Sequence, residues 1–250
     1  MTKPIVIIIV QARMGSKRFP GKIMAPFPPM EPGGERKSVL EWCLTRCRDV
    51  PGGPEGVSDI MLATPNSDDH ADAWATAVRC HCYPIAPEVD EGDVLGRYYK
   101  AAQIWWSEEG KHYADGGNHE NFHIVRVTAD CPLINPKVIE GTLRLHLATG
   151  SDYTSNVHPR SFPKGWDVEV MTWDSLEAAH VKATSKYDRE HVTPWLVRTP
   201  GIKRANYEGG TPDRPLNWSY INLCVDNPGD IEQIEELLER RPLLRKACFG

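Results

Sequence analysis

The 250-residue sequence contains no apolar run close to the about 20 residues that a membrane-spanning helix needs. It also lacks a cleavable leader pattern at its N-terminus, so we expect neither a membrane span nor a secretory leader. Positive charge is not in excess, because 29 basic residues face 34 acidic ones and the formal net charge is −5. The basic run at 240–246 alternates with leucines and is typical of a solvated helix end. Nucleic-acid binding is therefore not expected.

The seven cysteines have no regular spacing, which argues against a disulfide framework or a zinc site. Cys80 and Cys82 flank a histidine, but no second pair of ligands completes a tetrahedral set. Cys43 and Cys47 are spaced i, i+4 on a predicted helix, which is typical of core packing. We expect reduced thiols and a cytoplasmic protein.

What the sequence does contain is an alternation of strand and helix patterns over residues 1–150. An apolar content of 40% and 25% charged residues suit one globular domain. The pattern predicts an α/β fold with a parallel, doubly wound sheet. Predicted strands cover 5–10, 59–64, 80–85, 123–128, 152–156, 165–172 and 221–225. Predicted helices cover 38–47, 67–79, 93–106 and 135–150, with another opened by 174–177 and one at the C-terminus. The polar stretches 26–37 and 112–121 are predicted to be inserted loops.

The first strand runs into a loop, residues 11–22, that we call the glycine loop. It carries Arg13 and Lys22 beside Gly15 and Gly21. A Walker A motif needs four residues between its glycine and Gly-Lys, whereas five stand here, and Ile23 follows in place of Ser or Thr. Glycines allow backbone N–H groups to form an anion nest, so the loop indicates anion binding by another device.

Two aspartates, Asp130 and Asp226, follow predicted strands, and we call them the acidic pair. Ligands bind at the carboxyl ends of the strands in open parallel sheets. A nucleoside triphosphate needs cationic side chains and a hard metal, and Mg²⁺ is bound by one or two carboxylates plus phosphate oxygens. Each aspartate alone is better explained as a structural residue at a helix start. Their combination with the glycine loop predicts a polyphosphate site with Mg²⁺.

Several segments resemble the CMP-sugar synthetases, the family of acylneuraminate and deoxy-manno-octulosonate (KDO) cytidylyltransferases, and in particular its spore-coat polysaccharide branch. The similar segments are QARMGSKRFPGK (11–22), EGDVLGRYYKAA (91–102), RVTADCPLINP (126–136), DYTSN (152–156), FPKGWDVEV (162–170), REHVTP (189–194) and LCVDNPGD (223–230). Ala129 departs from the glycine usual in relatives, and Asn227 and Gly229 depart from a common Thr and Glu.

The resemblance implies a Rossmann-like, three-layer nucleotide-diphospho-sugar transferase fold with a mostly parallel central sheet and a small β-rich acceptor and dimer region. It implies transfer of CMP from CTP to an acidic sugar, with Mg²⁺, release of pyrophosphate and a homodimer. Residues 1–150 would bind nucleotide, 151–220 the acceptor, and 221–250 would form a returning strand and helix. By motif position, nucleotide contacts fall on Gln11, Ala12, Arg13, Gly15, Ser16, Lys22, Thr64, Ser67, Asp93 and Val94. The catalytic residues would be Arg13, Lys22, Asp130 and Asp226, of which Asp130 and Asp226 would bind the metal. Acceptor contacts fall on Arg160, Lys164, Asp167, Glu169, Arg189 and His191.

Other functions remain open at this point. The acceptor is alternatively a phosphonate or another anion. A glycosyltransferase of this fold generally carries a DxD metal motif, and none occurs in the sequence. A nucleotide-binding protein without catalysis is disfavoured by the intact set of charged residues, although fold alone does not decide function.

Overall fold

The computed structural model describes residues 3–29, 34–51, 56–67, 70–110, 119, 121–211, 214–215 and 217–249. The strands are β1 (Ile5–Gln11), β2 (Pro26–Phe27), β3 (Lys37–Ser38), β4 (Asp59–Ala63), β5 (Tyr83–Ile85), β6 (Phe122–Thr128), β7 (Tyr153–Ser155), β8 (Glu169–Thr172), β9 (Arg204–Asn206), β10 (Gly210–Thr211) and β11 (Arg214–Pro215). The helices are α1 (Val39–Arg48), α2 (Ala71–Arg79), α3 (Val94–Glu108), α4 (Pro136–Thr149), α5 (Trp173–Lys182), α6 (Lys186–His191), α7 (Pro194–Arg198), α8 (Asp230–Arg240) and α9 (Pro242–Phe249).

A seven-stranded, mostly parallel sheet forms the middle layer and confirms the predicted fold class. Its strand order is β5-β4-β1-β6-β8-β7-β9. β1 lies parallel to both β4 and β6, whereas β8 lies antiparallel to both of its neighbours. The chain leaves β1 toward β4 and returns on the other side of β1 at β6. The crevice between β1 and β6 is therefore the topological switch point, where ligands bind in sheets of this kind.

The apolar residues of β1 alternate between the two faces of the sheet, so the core has two parts, one on each face. Val6 and Val10 pack in a cluster with residues of α1, α4, α8 and α9. Ile5 and Ile9 pack in a second cluster with residues of α3 and α5. Helices thus cover both faces, which gives three layers and leaves the loops at the ends of the strands to form the site.

Several predicted helix starts are confirmed by their caps. The Ser38 hydroxyl accepts a hydrogen bond from Glu41 N at 3.1 Å at the start of α1. The Asn135 side chain accepts from Lys137 N at 2.9 Å, with Pro136 in the first turn of α4. Gly150 ends α4 with a φ of 56°, a left-handed conformation that favours glycine.

Several predicted element boundaries are wrong, including that of the strand predicted over 165–172, which begins only at Glu169. The strand predicted over 80–85 begins only at Tyr83, because His81 adopts a φ of 54° in the turn after α2. Residues 221–225 form no strand; a single bridge pairs Asn222 with Lys164. The C-terminal helix is divided into α8 and α9 at Pro242, since proline disfavours a helical residue before it.

The region 151–220 contributes both strands and helices. Its strands β7, β8 and β9 extend the central sheet, and β10 and β11 form a separate two-stranded ribbon. Of the predicted inserted loops, the first is bounded by the paired strands β2 and β3. Residues 30–33 within it, and all of 112–121 except His119 and Asn121, lie outside the described residues.

All seven cysteines lie in described parts of the chain and all are free thiols. Six of them are buried, and Cys80 alone is of intermediate exposure. Cys43 and Cys47 belong to the core cluster beside α1, as their spacing predicts. Within the described ranges, no helix is both long and apolar enough to span a bilayer.

Candidate active site

The glycine loop folds tightly around one backbone carbonyl. The N–H groups of Ser16 and Gly21 each donate to the Met14 carbonyl at 2.9 Å. Gly21 has a φ of 69°, where a side chain would be strained. This turn reverses the chain after β1 and starts a short 3₁₀ helix at Lys22. The sequence Phe-Pro-Gly-Lys therefore directs Lys22 back into the crevice beside β6.

A histidine that the sequence reasoning missed links the glycine loop to the loop after β4. His70 is buried, and its Nε2 accepts a hydrogen bond from Met14 N at 3.2 Å. Its Nδ1 lies 2.9 Å from the Ser67 hydroxyl. Ser67 was predicted to contact nucleotide, and in the structure it orients the histidine that supports the loop. No sequence motif marks His70, since the contact spans 56 residues.

Lys22 joins the two members of the acidic pair. Its Nζ lies 2.6 Å from Asp130 Oδ2 and 3.1 Å from Asp226 Oδ1, and only 11% of its side chain is exposed. The predicted convergence of Lys22 with both aspartates is confirmed. Burial alone would lower the pKa of Lys22, but the two carboxylates outweigh it and raise the pKa above its usual value. The ammonium group therefore stays charged.

The carboxylate of Asp226 is surrounded by positively charged side chains. Arg18 Nη2 and Lys164 Nζ each lie 3.0 Å from its carboxylate, in addition to Lys22. Burial would raise the pKa of Asp226, yet the hydrogen bonds and charges of Lys164 and Lys22 lower it to about 2. The carboxylate is ionised at neutral pH. Lys164, which the resemblance places on the acceptor side, contacts Asp226 of the acidic pair.

Backbone contacts, and not a strand, bring Asp226 to Asp130. Val225 N donates to the Asp130 carbonyl at 2.9 Å, so the two segments run side by side. The Asp230 carboxylate then accepts from the N–H groups of Asp226 and Asn227 at 2.7 and 2.8 Å. These hydrogen bonds close a turn that holds Asp226 just before α8.

Arg13 lies at the open side of the glycine loop. Its side chain is exposed and makes no hydrogen bond or ion pair with the described residues. Gly15 lies beside the turn before α3, because a Cβ built on it would stand 3.3 Å from Glu91 Oε1. The glycine loop and residues 90–93 are thus neighbours, and we call the exposed surface between them the mouth of the site. Arg13 is a cation free to meet a ligand there.

Six other residues predicted at the nucleotide site have defined positions within the fold. Thr64 is buried, and its hydroxyl accepts from Trp74 Nε1 at 2.9 Å. Asp93 caps α3 by accepting from Gly96 N at 2.9 Å and also binds Arg189 Nε at 2.7 Å. Val94 and Ala12 belong to the core, while Gln11 ends β1 and Ser16 Oγ accepts from Phe19 N. The pairing of Asp93 with Arg189 joins a predicted nucleotide residue to a predicted acceptor residue.

The remaining predicted acceptor residues do not form one group. Arg160 binds Asp167 through two hydrogen bonds, one of 2.7 Å between Nη2 and Oδ2. His191 is exposed, with its ring 4.4 Å from that of Tyr187.

Glu169 lies in the interior of the sheet. Its side chain is 7% exposed, lies 2.5 Å from Arg126 Nη1 and accepts from the Tyr153 hydroxyl. It ties β6, β8 and β7 together inside the sheet. Both of its carboxylate oxygens are engaged by these two partners.

The carboxylates present suit one kind of metal. No group of three or more histidine, cysteine or acidic side chains comes together in the part of the chain that the structure describes. A zinc site of protein ligands is thus not found there. The two carboxylates of the acidic pair offer oxygen ligands. The ammonium group of Lys22 contacts both of them, so they already share one positive charge. Such a set fits Mg²⁺, which takes few protein carboxylates and completes its shell with phosphate oxygens and water.

Comparisons with known proteins agree with this architecture. The spore coat polysaccharide biosynthesis protein SpsF of Bacillus subtilis is 26% identical over 94% of this chain and 87% of its own. The structure of a cytidylyltransferase from Leptospira borgpetersenii superposes with a TM-score of 0.73 at 24% identity, covering 97% of this chain and 96% of that one. The structure of a CMP-2-keto-3-deoxy-manno-octonic acid synthetase complexed with CTP superposes at 0.60 with 15% identity, covering 94% and 99%.

The fold and its relatives define an α/β nucleotidyltransferase. Residues 7–247 match the model of the cytidylyltransferase family, and the chain belongs to that family.

Proposed function

We propose that this chain is a Mg²⁺-dependent cytidylyltransferase that transfers CMP from CTP to an acidic sugar of the ulosonic-acid type. The observation that carries the proposal is the contact of Lys22 with both Asp130 and Asp226 at the switch point of the sheet. Family membership supports CTP as the nucleotide. The named relatives, a spore coat polysaccharide protein and a CMP-sugar synthetase, support a sugar precursor of a surface polysaccharide or glycoconjugate.

The proposed reaction is an in-line displacement at the α-phosphorus of CTP. An oxygen of the acceptor forms the new bond to phosphorus while the bond to the bridging oxygen breaks, and pyrophosphate leaves with that electron pair. Lys22, Arg18 and Arg13 are cations at the crevice that neutralise charge on the triphosphate. Positioning and electrostatic stabilisation supply most of the acceleration in such transfers.

Asp130 and Asp226 would hold the Mg²⁺ ion. When bound, the ion supplies charge neutralisation at the phosphates and lowers the pKa of a coordinated hydroxyl. The protein's own contribution is to hold the two carboxylates close together. Lys22 donates hydrogen bonds to both of them, and Lys164 donates to Asp226.

A pyrophosphate-release assay tests the proposal. Each of the four nucleoside triphosphates is combined with a panel of ulosonic acids, other acidic sugars and phosphonates, with Mg²⁺ or with EDTA. We expect release with CTP and an ulosonic acid that requires Mg²⁺. Release only with another triphosphate, or equal rates in EDTA, contradicts the proposal. Sugar transfer from a nucleotide sugar, without pyrophosphate, would identify a glycosyltransferase instead.

Two further measurements test the class of the acceptor and the oligomeric state. Release with a phosphonate alone would replace the ulosonic acid by the alternative acceptor class. The expected homodimer is measured by sedimentation equilibrium, where a monomer at micromolar concentration contradicts it.

A further inference from the structure

Arg97 in α3 is a fully buried cation without an acidic partner. None of its side chain is exposed. Its Nη2 donates to the Glu91 carbonyl at 2.7 Å, while Nε and Nη1 have no hydrogen-bond partner in the described part of the chain. A buried charge that lacks a counter-ion is costly, and native proteins seldom leave such groups unsatisfied. The arrangement needs an explanation.

Two other arginines show what is unusual about Arg97. Buried Arg46 donates to the carbonyls of Ile134 and Cys248, and partly buried Arg126, although its Nε also lacks a partner in the described part of the chain, has a counter-ion in Glu169. The aspartate nearest to Arg97 in the sequence, Asp93, already binds Arg189 and caps α3. Among the described residues, Arg97 forms no salt bridge.

The position of Arg97 points to the nucleotide. Its one hydrogen bond goes to the turn that faces Gly15 across the mouth of the site. Arg13 stands two residues before Gly15, so both cations border the mouth, and an anion bound there would relieve both. Burial lowers the pKa of Arg97 and the charge of Arg13 lowers it further, while Tyr98, Glu91 and Asp93 oppose the change.

We propose that Arg97 is a further nucleotide-binding residue, whose guanidinium nitrogens Nε and Nη1 donate to the phosphate chain. This inference rests on the proposed function. Because Arg97 has no exposed surface, the phosphate reaches it when the turn of Glu91 and Gly92 moves aside. The nucleotide then supplies the counter-ion that the protein lacks.

The test compares Arg97→Met with Arg97→Lys, and with Arg46→Met as a matched buried arginine on the other side of the sheet. Binding of CTP is measured by calorimetry, and binding of cytidine by saturation-transfer NMR at millimolar concentration. For Arg97→Met we expect CTP affinity to fall by about tenfold or more, as for a lost hydrogen bond to a charged group. Cytidine binding should be unchanged, and Arg97→Lys should lie between wild type and Arg97→Met for CTP.

Thermal unfolding without nucleotide gives a second measurement. Replacing an unpaired buried charge by an apolar side chain is often neutral or stabilising. We expect Arg97→Met to unfold at or above the wild-type temperature, and Arg46→Met to unfold below it. If Arg97→Met does not fold, the CTP and cytidine measurements on Arg97→Lys decide.

Normal CTP binding by Arg97→Met, or an equal loss for CTP and cytidine, would overturn the inference. Failure of the proposed function would give a different result, the absence of CTP binding by the wild-type protein.

Discussion

Three basic side chains, from Arg18, Lys22 and Lys164, contact the single carboxylate of Asp226. Two of them come from the glycine loop, and the third from a segment more than 140 residues later in the chain. The hydrogen bonds and charges of Lys164 and Lys22 lower the pKa of Asp226 to about 2 despite its burial. The site is thus organised around a carboxylate that remains charged, as a metal-binding role requires.

Removing either charge of the acidic pair should abolish most turnover. For Asp130→Asn and Asp226→Asn we expect kcat/KM to fall by about 10²-fold or more, the loss typical of a removed electrostatic group. Pyrophosphate release measures the effect, with circular dichroism to verify folding. Asp174→Asn, an exposed aspartate of α5, is the matched control. Wild-type turnover in either site variant would exclude that carboxylate from the metal site.

Glu169 should affect stability and leave nucleotide binding unchanged. Glu169→Gln leaves Arg126 buried without its counter-charge, and breaking such a pair costs about 3 kcal/mol. Urea denaturation measures the free energy of unfolding, and calorimetry measures CTP affinity. Asp167→Asn, which breaks the half-exposed pair with Arg160, should cost at most about 1 kcal/mol. Glu169→Gln with unchanged stability and weakened CTP binding would contradict this prediction.

At the scale of elements, two histidines join β6, α4 and β7 through one buried chain of hydrogen bonds. His123 Nδ1 lies 3.1 Å from His146 Nε2, and His146 Nδ1 lies 3.0 Å from Thr154 Oγ1. Burial lowers the pKa of His123 to about 4. Burial and the repulsion that a protonated His123 would exert lower the pKa of His146 to about 3. Both imidazoles are neutral in the folded protein at neutral pH.

The histidine pair makes the fold sensitive to mild acid. Below pH 6.5 the unfolded chain binds protons at both sites while the folded chain does not, so stability falls as the pH falls toward the lowered pKa values. Between pH 7 and 5 we expect a loss of about 1 to 2 kcal/mol for each histidine. Urea denaturation at both pH values measures it. The loss should shrink in His123→Gln but not in His191→Gln, and equal losses in all three proteins would contradict the assignment.

Which elements could be predicted from the sequence depends on the range of the interactions that form them. β1 is an apolar run, and α1 and α4 carry local caps, so their existence follows from neighbours in the chain. Residues 221–225 have a strand pattern but bond to the loops at Lys164 and Asp130. A periodic pattern reports burial and does not say which backbone provides the partner.

At the scale of the whole molecule, the sheet order explains why part of the site was predictable. The rule for open sheets places the loops after β1 and β6 at one crevice, and Lys22 and Asp130 meet there. His70, Arg97 and the Asp93–Arg189 pair depend on side-chain contacts across 6 to 96 residues. No local spacing encodes such contacts, so these contacts could be found only in the folded structure.

The unequal burial of the cysteines makes this protein suitable for labelling at one position. Six thiols are closed inside the core, and Cys80 after α2 alone keeps partial exposure, although burial raises its pKa. A maleimide fluorophore should attach once per native chain, as intact mass spectrometry would show, and Cys80→Ser should accept none. Two or more dyes on the folded protein would contradict this. A reporter could then be fixed to the chain without touching the acidic pair.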